Sequence, residues 1–131
     1  MLVIRNEQKD TLIKGTDGEW VDFLVSQVKT EDPELQNEYS DDDLRLMVKS
    51  GIRRSEGYGI TGAKDQSAFV SIMFNVAPNF DDQPEIRAVL DNERFPAPQR
   101  MENLWSPAVP DTVWDKAKEA RDERAWRFGE D

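Results

Sequence analysis

A nearly unbroken apolar run lies in the middle of this 131-residue chain and reads Ala68-Phe69-Val70-Ser71-Ile72-Met73-Phe74. Thr61 can cap a helix that includes this run and reaches about Val76, and Pro78 ends it. Because such a helix is apolar on almost every side, other elements must surround it. We therefore expect a central apolar helix over residues 63–76. A short apolar run is also compatible with a buried strand, and this alternative stays open.

Two amphipathic helices are predicted on the amino-terminal side of this run. The first covers about residues 17–29, where apolar side chains recur at helical spacing. The second opens at Ser40, whose side chain can cap the first turn, and three aspartates follow where the helix dipole favours negative charge. Its end is predicted at Gly57 and Gly59, because a left-handed residue stops a helix there and Ile60 can fold back.

Shorter, proline-bounded helices are predicted in the carboxyl-terminal half. A proline in the first turn and three apolar side chains indicate a helix at residues 84–90. Residues 95–98 are expected to be extended, because each proline disfavours helical backbone in the residue before it. Further helices are predicted at residues 101–105 and 110–128. The fold class is therefore all-α, an irregular bundle of five to six short helices.

One domain is expected over residues 1–131, because a chain of this length supports a single core. Residues 1–15 are expected to form an arm, in which Leu2-Val3-Ile4 could be a short strand and residues 7–14 could be helical. Residues 124–131 are expected to form an exposed tail.

The charge of the chain restricts its partners. Lys and Arg number 17 against 27 Asp and Glu, which gives a net charge of −10. This field repels phosphate backbones and anionic lipid, so neither a nucleic acid nor a membrane is expected as partner. Another protein with a basic surface is favoured, since complementary charge speeds encounter. No secretory signal or apolar run of membrane-spanning length is evident, so a cytoplasmic location is expected. The oligomeric state is left open.

The side-chain inventory limits the chemistry that the chain can perform. It contains neither Cys nor His, so disulfides, zinc thiolate sites and the usual nucleophile and base pairs are excluded. Acidic clusters at residues 41–43 and 81–82 could supply a carboxylate pair for glycoside hydrolysis, but helix capping explains both. Glycines in residues 57–62 follow a helix and lack the Lys-Ser/Thr of a phosphate cradle. We expect no enzyme activity, no metal and no cofactor.

Two groups of residues are candidates for partner binding. Arg53, Arg54 and Tyr58 could form a small cationic site for a phosphate or carboxylate, although pairing with the surplus acidic residues is the alternative. Near the end of the chain, Trp126 has little to pack against and is followed by Arg127 and Phe128.

Tryptophan and arginine are enriched at interface hot spots, so residues 126–128 are predicted to anchor a partner. The other tryptophans, Trp20, Trp105 and Trp114, fall at apolar-stripe positions and are predicted to lie in the core.

Short motifs follow one another between residues 51 and 105: Gly51-Ile52-Arg53-Arg54, Tyr58-Gly59-Ile60, Phe80-Asp81, Pro84 before Ile86-Arg87-Ala88-Val89-Leu90, and Arg100-Met101-Glu102-Asn103-Leu104-Trp105. In this order the chain resembles small bacterial accessory proteins encoded beside VgrG spike, PAAR tip and toxic effector genes of type VI secretion systems. The resemblance covers about residues 35–115. It implies an accessory that handles an effector or spike protein, and it implies no catalytic residues.

The expected function is therefore a non-enzymatic, protein-binding accessory, a chaperone or adaptor for a type VI secretion effector or spike protein. A cytoplasmic immunity protein that binds and blocks a cognate toxin is the alternative, since a small acidic protein suits inhibition of a cationic nuclease. A carboxylate-dependent hydrolase is the third possibility.

Overall fold

The computed structural model describes residues 17–126, and these residues contain helices and no strand. Seven α-helices follow one another in this part of the chain: α1 Asp17–Glu31, α2 Leu35–Glu38, α3 Asp41–Gly57, α4 Ala63–Asn75, α5 Pro84–Leu90, α6 Ala97–Asn103 and α7 Asp111–Glu119. Two 3-10 helices are added, Phe80–Asp82 and Glu123–Trp126. The all-α prediction is confirmed. The apolar run lies in α4, so the strand alternative is wrong.

Helix α4 buries seven of its residues and packs against α1, α3 and α6. Its contact with α3 is close because Gly51 has no side chain. A Cβ at Gly51 would lie 3.0 Å from Cγ2 of Val70 and 3.2 Å from Sδ of Met73. Glycine at this position therefore sets the distance between the two helices.

A buried polar network ties α1, α3 and α4 together. The Trp20 indole donates to Oε1 of Gln66 at 2.6 Å, and Nε2 of Gln66 donates to Oγ of Ser55 at 2.9 Å and to the Ile60 carbonyl at 3.2 Å. Buried polar groups that are all hydrogen-bonded fix the relative positions of the elements that carry them. The core position predicted for Trp20 is confirmed.

Both ends of α3 follow the local signals in the sequence. Oγ of Ser40 accepts a hydrogen bond from the Asp43 amide at 3.1 Å, which satisfies a free donor of the first turn. Gly59 adopts φ of 79°, in the left-handed region, and the Ile60 amide donates back to the Ser55 carbonyl at 3.0 Å. Ile60 is fully buried. The predicted cap and stop are confirmed.

Helix α6 begins earlier than the sequence pattern predicted. Pro96 is extended and precedes the first turn, and the Arg100 amide donates to its carbonyl at 3.0 Å. Ala97 is already helical, so the expectation that residues 95–98 are all extended is wrong. Pro98 is tolerated because the amide that proline lacks has no partner in a first turn.

The last predicted helix, 110–128, is also wrong in length. Helix α7 ends at Glu119, and a separate 3-10 helix follows. The cause is the side chain of Asn79, whose Nδ2 donates to the Ala120 carbonyl at 3.0 Å and whose Oδ1 accepts from the Asp122 amide at 2.9 Å. These two bonds replace the helical bonds that would continue α7. The one-turn helix α2 was not predicted. It raises the number of α-helices among the described residues to seven, whereas five to six were expected.

Candidate functional site

Arg54 and Tyr58, both predicted as binding residues, meet at the buried carboxylate of Asp81. Nη1 of Arg54 lies 2.7 Å from Oδ1 of Asp81, and the Tyr58 hydroxyl donates to Oδ2 at 2.6 Å. Arg54 also donates to the carbonyls of Pro78 at 3.2 Å and Ala125 at 3.3 Å. Each polar group of this cluster therefore has a partner inside the domain.

This cluster holds the structure together and does not present a free cationic site. Arg54 forms an ion pair with Asp81. For Arg54 the structure therefore shows the alternative, pairing with one of the surplus acidic residues. Arg53, one position earlier on α3, faces solvent. Partial burial, followed by the hydrogen bond to Asp81, raises the pKa of the Tyr58 hydroxyl well above its ordinary value. Tyr58 therefore stays neutral, and its hydroxyl donates a hydrogen bond to Asp81.

Trp126 is not an exposed anchor. Its side chain is 1% exposed, and its ring centroid lies 4.7 Å from that of Phe74 on α4. The 3-10 helix that follows the Asn79 contact turns the chain back onto α3 and α4, which gives Trp126 the packing partner that the sequence did not reveal. The expectation that Trp126 has little to pack against, on which its prediction as a surface contact depended, is wrong. Arg127, Phe128 and the predicted arm of residues 1–15 lie outside the described residues.

The exposed tryptophan is instead Trp105, which the pattern placed in the core. Its side chain is 64% exposed, whereas Leu104 beside it is fully buried. Leu104 and Trp105 follow the end of α6, and side chains of successive residues there point in different directions, here one to the core and one to solvent. The sequence did contain a signal for this, since Leu104 and Trp105 are two large apolar residues in succession at the end of a short helix.

Three aromatic rings connect Trp105 to the core, and we call them the aromatic stack. The Trp105 ring lies 5.0 Å from the Trp114 ring at an interplanar angle of 16°, and Trp114 lies 6.2 Å from Phe80 at 17°. Phe80 is fully buried, Trp114 is half-buried and Trp105 faces solvent. Near-parallel rings at these distances stabilise one another beyond simple burial. Trp105 is therefore exposed but held in one orientation.

Several charged residues lie close to Trp105 and Trp114 in the chain. The Trp105 amide donates to the Glu102 carbonyl at 3.0 Å, so Glu102 lies one turn earlier in the chain. On α7, Asp111 and Lys118 are three residues before and four after Trp114, which places them on its side of the helix. Asp115 adjoins Trp114 in sequence and is exposed. Residues 102–118, the segment that carries Trp105 and Trp114, thus contain three acidic side chains against the two ammonium groups of Lys116 and Lys118.

An open groove of about 520 Å³ lies between α5 and the chain around α6. Its lining residues are Glu85, Ala88, Val89, Asn92, Phe95, Asn103, Ser106 and Ala108. Phe95 at this groove is 41% exposed, and Asn103 and Ser106 flank the Leu104–Trp105 pair in the chain. No sequence motif predicted this groove, because its walls come from separate segments. The groove combines apolar surface with side-chain amide groups, and two of its lining residues, Asn103 and Ser106, lie close to Trp105 in the chain.

Two other large apolar side chains are partly exposed, Phe23 on α1 and Leu46 on α3. Phe23 stacks on Trp20 at 5.6 Å, and no ring contact connects either residue to the aromatic stack among the described residues. Single exposed apolar side chains are common on protein surfaces. They therefore serve as controls for Trp105.

Among residues 17–126, no helix combines the length and the apolar character needed to cross a lipid bilayer. The same residues contain no cluster of three or more acidic side chains arranged to hold a metal ion. Comparisons with protein-family models, with curated proteins and with solved structures found no match to this chain. The fold and the site define an all-α domain with an exposed tryptophan that is stacked on a second one and adjoins, in the chain, residues that line an open groove.

Proposed function

We propose that this chain is a non-enzymatic, protein-binding accessory, an adaptor or chaperone that contacts its partner through Trp105. The observation that carries the proposal is the 64% exposure of an indole that is stacked on Trp114. Tryptophan is the residue type most enriched at interface hot spots. Burying most of its side chain contributes about 2–3 kcal/mol to association, or about a 30–150-fold change in Kd.

The order of Trp105 supports this role as much as its exposure does. Fixing a mobile side chain on binding costs about 0.5–1.5 kcal/mol. Trp105 is already held by the aromatic stack in the free protein. Much of its side-chain conformational entropy is therefore lost on folding, and less remains to be lost on association. A rigid aromatic anchor of this kind is typical of surfaces that recognise a folded or extended protein segment.

The proposed setting follows from the resemblance of residues 35–115 to accessory proteins encoded beside type VI secretion genes. The partner is then a secreted effector or a spike component, and the site of action is the cytoplasm. The resemblance supplies the setting, and Trp105 supplies the contact. The net charge of −10 supports a partner with a basic surface.

The test is a binding measurement between the purified chain and the products of the genes beside its own. Trp105→Ala is expected to weaken the affinity of the true partner at least tenfold, measured by calorimetry. The matched control is Phe23→Ala, which removes another exposed aromatic ring and is expected to change the affinity less than twofold. Equal affinity of the wild-type chain and Trp105→Ala for every partner would contradict the proposed contact.

A second measurement separates the adaptor from the immunity alternative. The partner is produced in the cytoplasm with and without this chain, and growth, partner abundance and secretion are followed. Loss of partner stability or secretion without loss of self-protection supports the adaptor. Relief of growth inhibition by the wild-type chain supports the immunity protein instead. Turnover of a small substrate by the purified chain, abolished by one Asp or Glu substitution, would overturn both.

A further inference from the structure

The outward face of Trp105 is the feature that indicates what kind of side chain it contacts. One face of the indole stacks on Trp114 at 5.0 Å, so the opposite face is the one available to a partner. The face of an aromatic ring carries negative electrostatic potential and attracts cations, and tryptophan binds them most strongly. A ring that is fixed on one side by another indole presents this potential in a constant direction.

The surrounding charges favour the same kind of ligand. Glu102, Asp111 and Asp115 are exposed, and within residues 17–126 none of them forms an ion pair. Helix α7 also carries two exposed ammonium groups, those of Lys116 and Lys118, so the three carboxylates exceed the cations of the same segment by one. Asp82, beside Phe80, lies 3.8 Å from Arg87 and adds little net charge.

We infer that the partner places an arginine side chain on the outward face of Trp105, with its guanidinium hydrogen-bonded to the adjacent carboxylates. This inference rests on the proposed function and names the chemistry of the partner. Arginine fits better than lysine because its planar guanidinium stacks on an indole and at the same time donates to carboxylate oxygens. The segment that carries this arginine is basic, in keeping with the acidic surface that it meets.

The first experiment uses a defined probe. The chain is labelled with ¹⁵N at its tryptophans, the indole signal of Trp105 is assigned with Trp105→Phe, and a blocked Gly-Arg-Gly-Arg-Gly peptide is added. We expect a saturable shift of the Trp105 indole signal, with little change at the buried Trp20 and Trp126. The Lys version of the peptide is expected to bind several-fold more weakly, and the Glu version not at all.

The second experiment uses matched charge variants of the full chain. The test variant combines Glu102→Gln with Asp115→Asn, and the control combines Glu34→Gln with Glu56→Gln, so both lose two negative charges. All four residues are exposed. The test variant is expected to weaken binding of the arginine peptide and of the protein partner about fivefold to tenfold. The control is expected to change both less than twofold.

The outcomes separate the two proposals. One outcome would contradict the arginine contact alone. In it, Trp105→Ala weakens binding of the protein partner, the test and control variants bind that partner with equal affinity, and the arginine peptide shifts no indole signal. The proposed function would then stand. The arginine contact is also wrong if calorimetry gives the arginine peptide the same affinity for Trp105→Ala as for the wild-type chain. If Trp105→Ala binds the protein partner normally, the proposed contact itself fails.

Discussion

Tyr58 donates a 2.6 Å hydrogen bond to Oδ2 of Asp81, the carboxylate whose other oxygen accepts from Arg54 at 2.7 Å. Asp81 is 2% exposed, so its charge is stabilised by these two donors and not by water. Arg87 adds a hydrogen bond from Nε to the Asp81 carbonyl at 3.1 Å. One acidic residue thus joins α3 to the 3-10 helix of residues 80–82 and to α5.

Replacing Asp81 is expected to destabilise the domain strongly. Asp81→Asn leaves the partly buried Arg54 without its counter-ion, and breaking a buried pair in this way costs about 3 kcal/mol. Asp82→Asn is the matched control, because Asp82 is 61% exposed and its ion pair with Arg87 contributes less than about 1 kcal/mol. The free energy of unfolding is measured by urea denaturation at pH 7. Equal values for the two variants would show that the pair with Arg54 contributes nothing.

Tyr58 is expected to make the domain sensitive to alkaline pH. Partial burial and the hydrogen bond to Asp81 raise the pKa of Tyr58 in the folded state. The unfolded chain, with a tyrosine pKa of about 10, therefore releases this proton first. The contribution of Tyr58 to stability is fully present below about pH 10 and is lost as the pH rises from there through the higher folded-state pKa.

The check is urea denaturation of the wild-type chain and Tyr58→Phe at pH 8 and pH 11. At pH 8 the variant is expected to be less stable by about 1.5–3 kcal/mol, the value of a hydrogen bond to a charged group. At pH 11 the difference should shrink. Absorbance titration of tyrosinate should show that Tyr58→Phe removes the component that titrates at the higher pH. A pH-independent difference would contradict the raised pKa.

Truncation of Trp126 is expected to destabilise the domain much more than truncation of Trp105. Trp126→Ala removes a buried ring from its contact with Phe74 and should lower the free energy of unfolding by about 3–5 kcal/mol. Trp105→Ala removes a ring that is mostly in water and should cost about 1 kcal/mol, the value of its stacking on Trp114.

Acrylamide quenching of tryptophan fluorescence gives an independent check of the same two positions. Trp105→Phe should remove most of the readily quenched emission, whereas Trp20→Phe, at a buried position, should leave it in place. Acrylamide is suitable because it is neutral and is not repelled by the net negative charge. Strong quenching that survives Trp105→Phe would show that another indole is the exposed one.

Local sequence signals predicted the helix ends that depend on neighbours in the chain. Ser40 caps α3 through the Asp43 amide, three residues away, and Gly59 supplies the left-handed backbone that stops it. Both effects arise within one helical turn, so a single sequence contains all of their information. The predicted end of the last helix failed for the opposite reason, because α7 is stopped by Asn79, whose side chain bonds Asp122 at a separation of 43 positions.

The candidate site was predictable only in part. The pattern identified Arg54 and Tyr58 as a possible cationic site, but their common partner Asp81 lies 23 positions beyond Tyr58 and pairs with both inside the domain. For the tryptophans the pattern predicted the wrong one as exposed, since Trp126 is buried and Trp105 faces solvent. Composition alone does not say which of four indoles has partners on all sides.

The amino-acid sequence by itself determined that this chain is built from helices, where the longer ones begin and stop, and that its surface is acidic, because propensity, capping and net charge depend on residues close together or on simple sums. Tertiary structure alone decided that Trp126 is buried and Trp105 exposed. The side of a short helix that meets the core depends on elements that are distant in the chain, here Phe74 for Trp126 and the aromatic stack for Trp105.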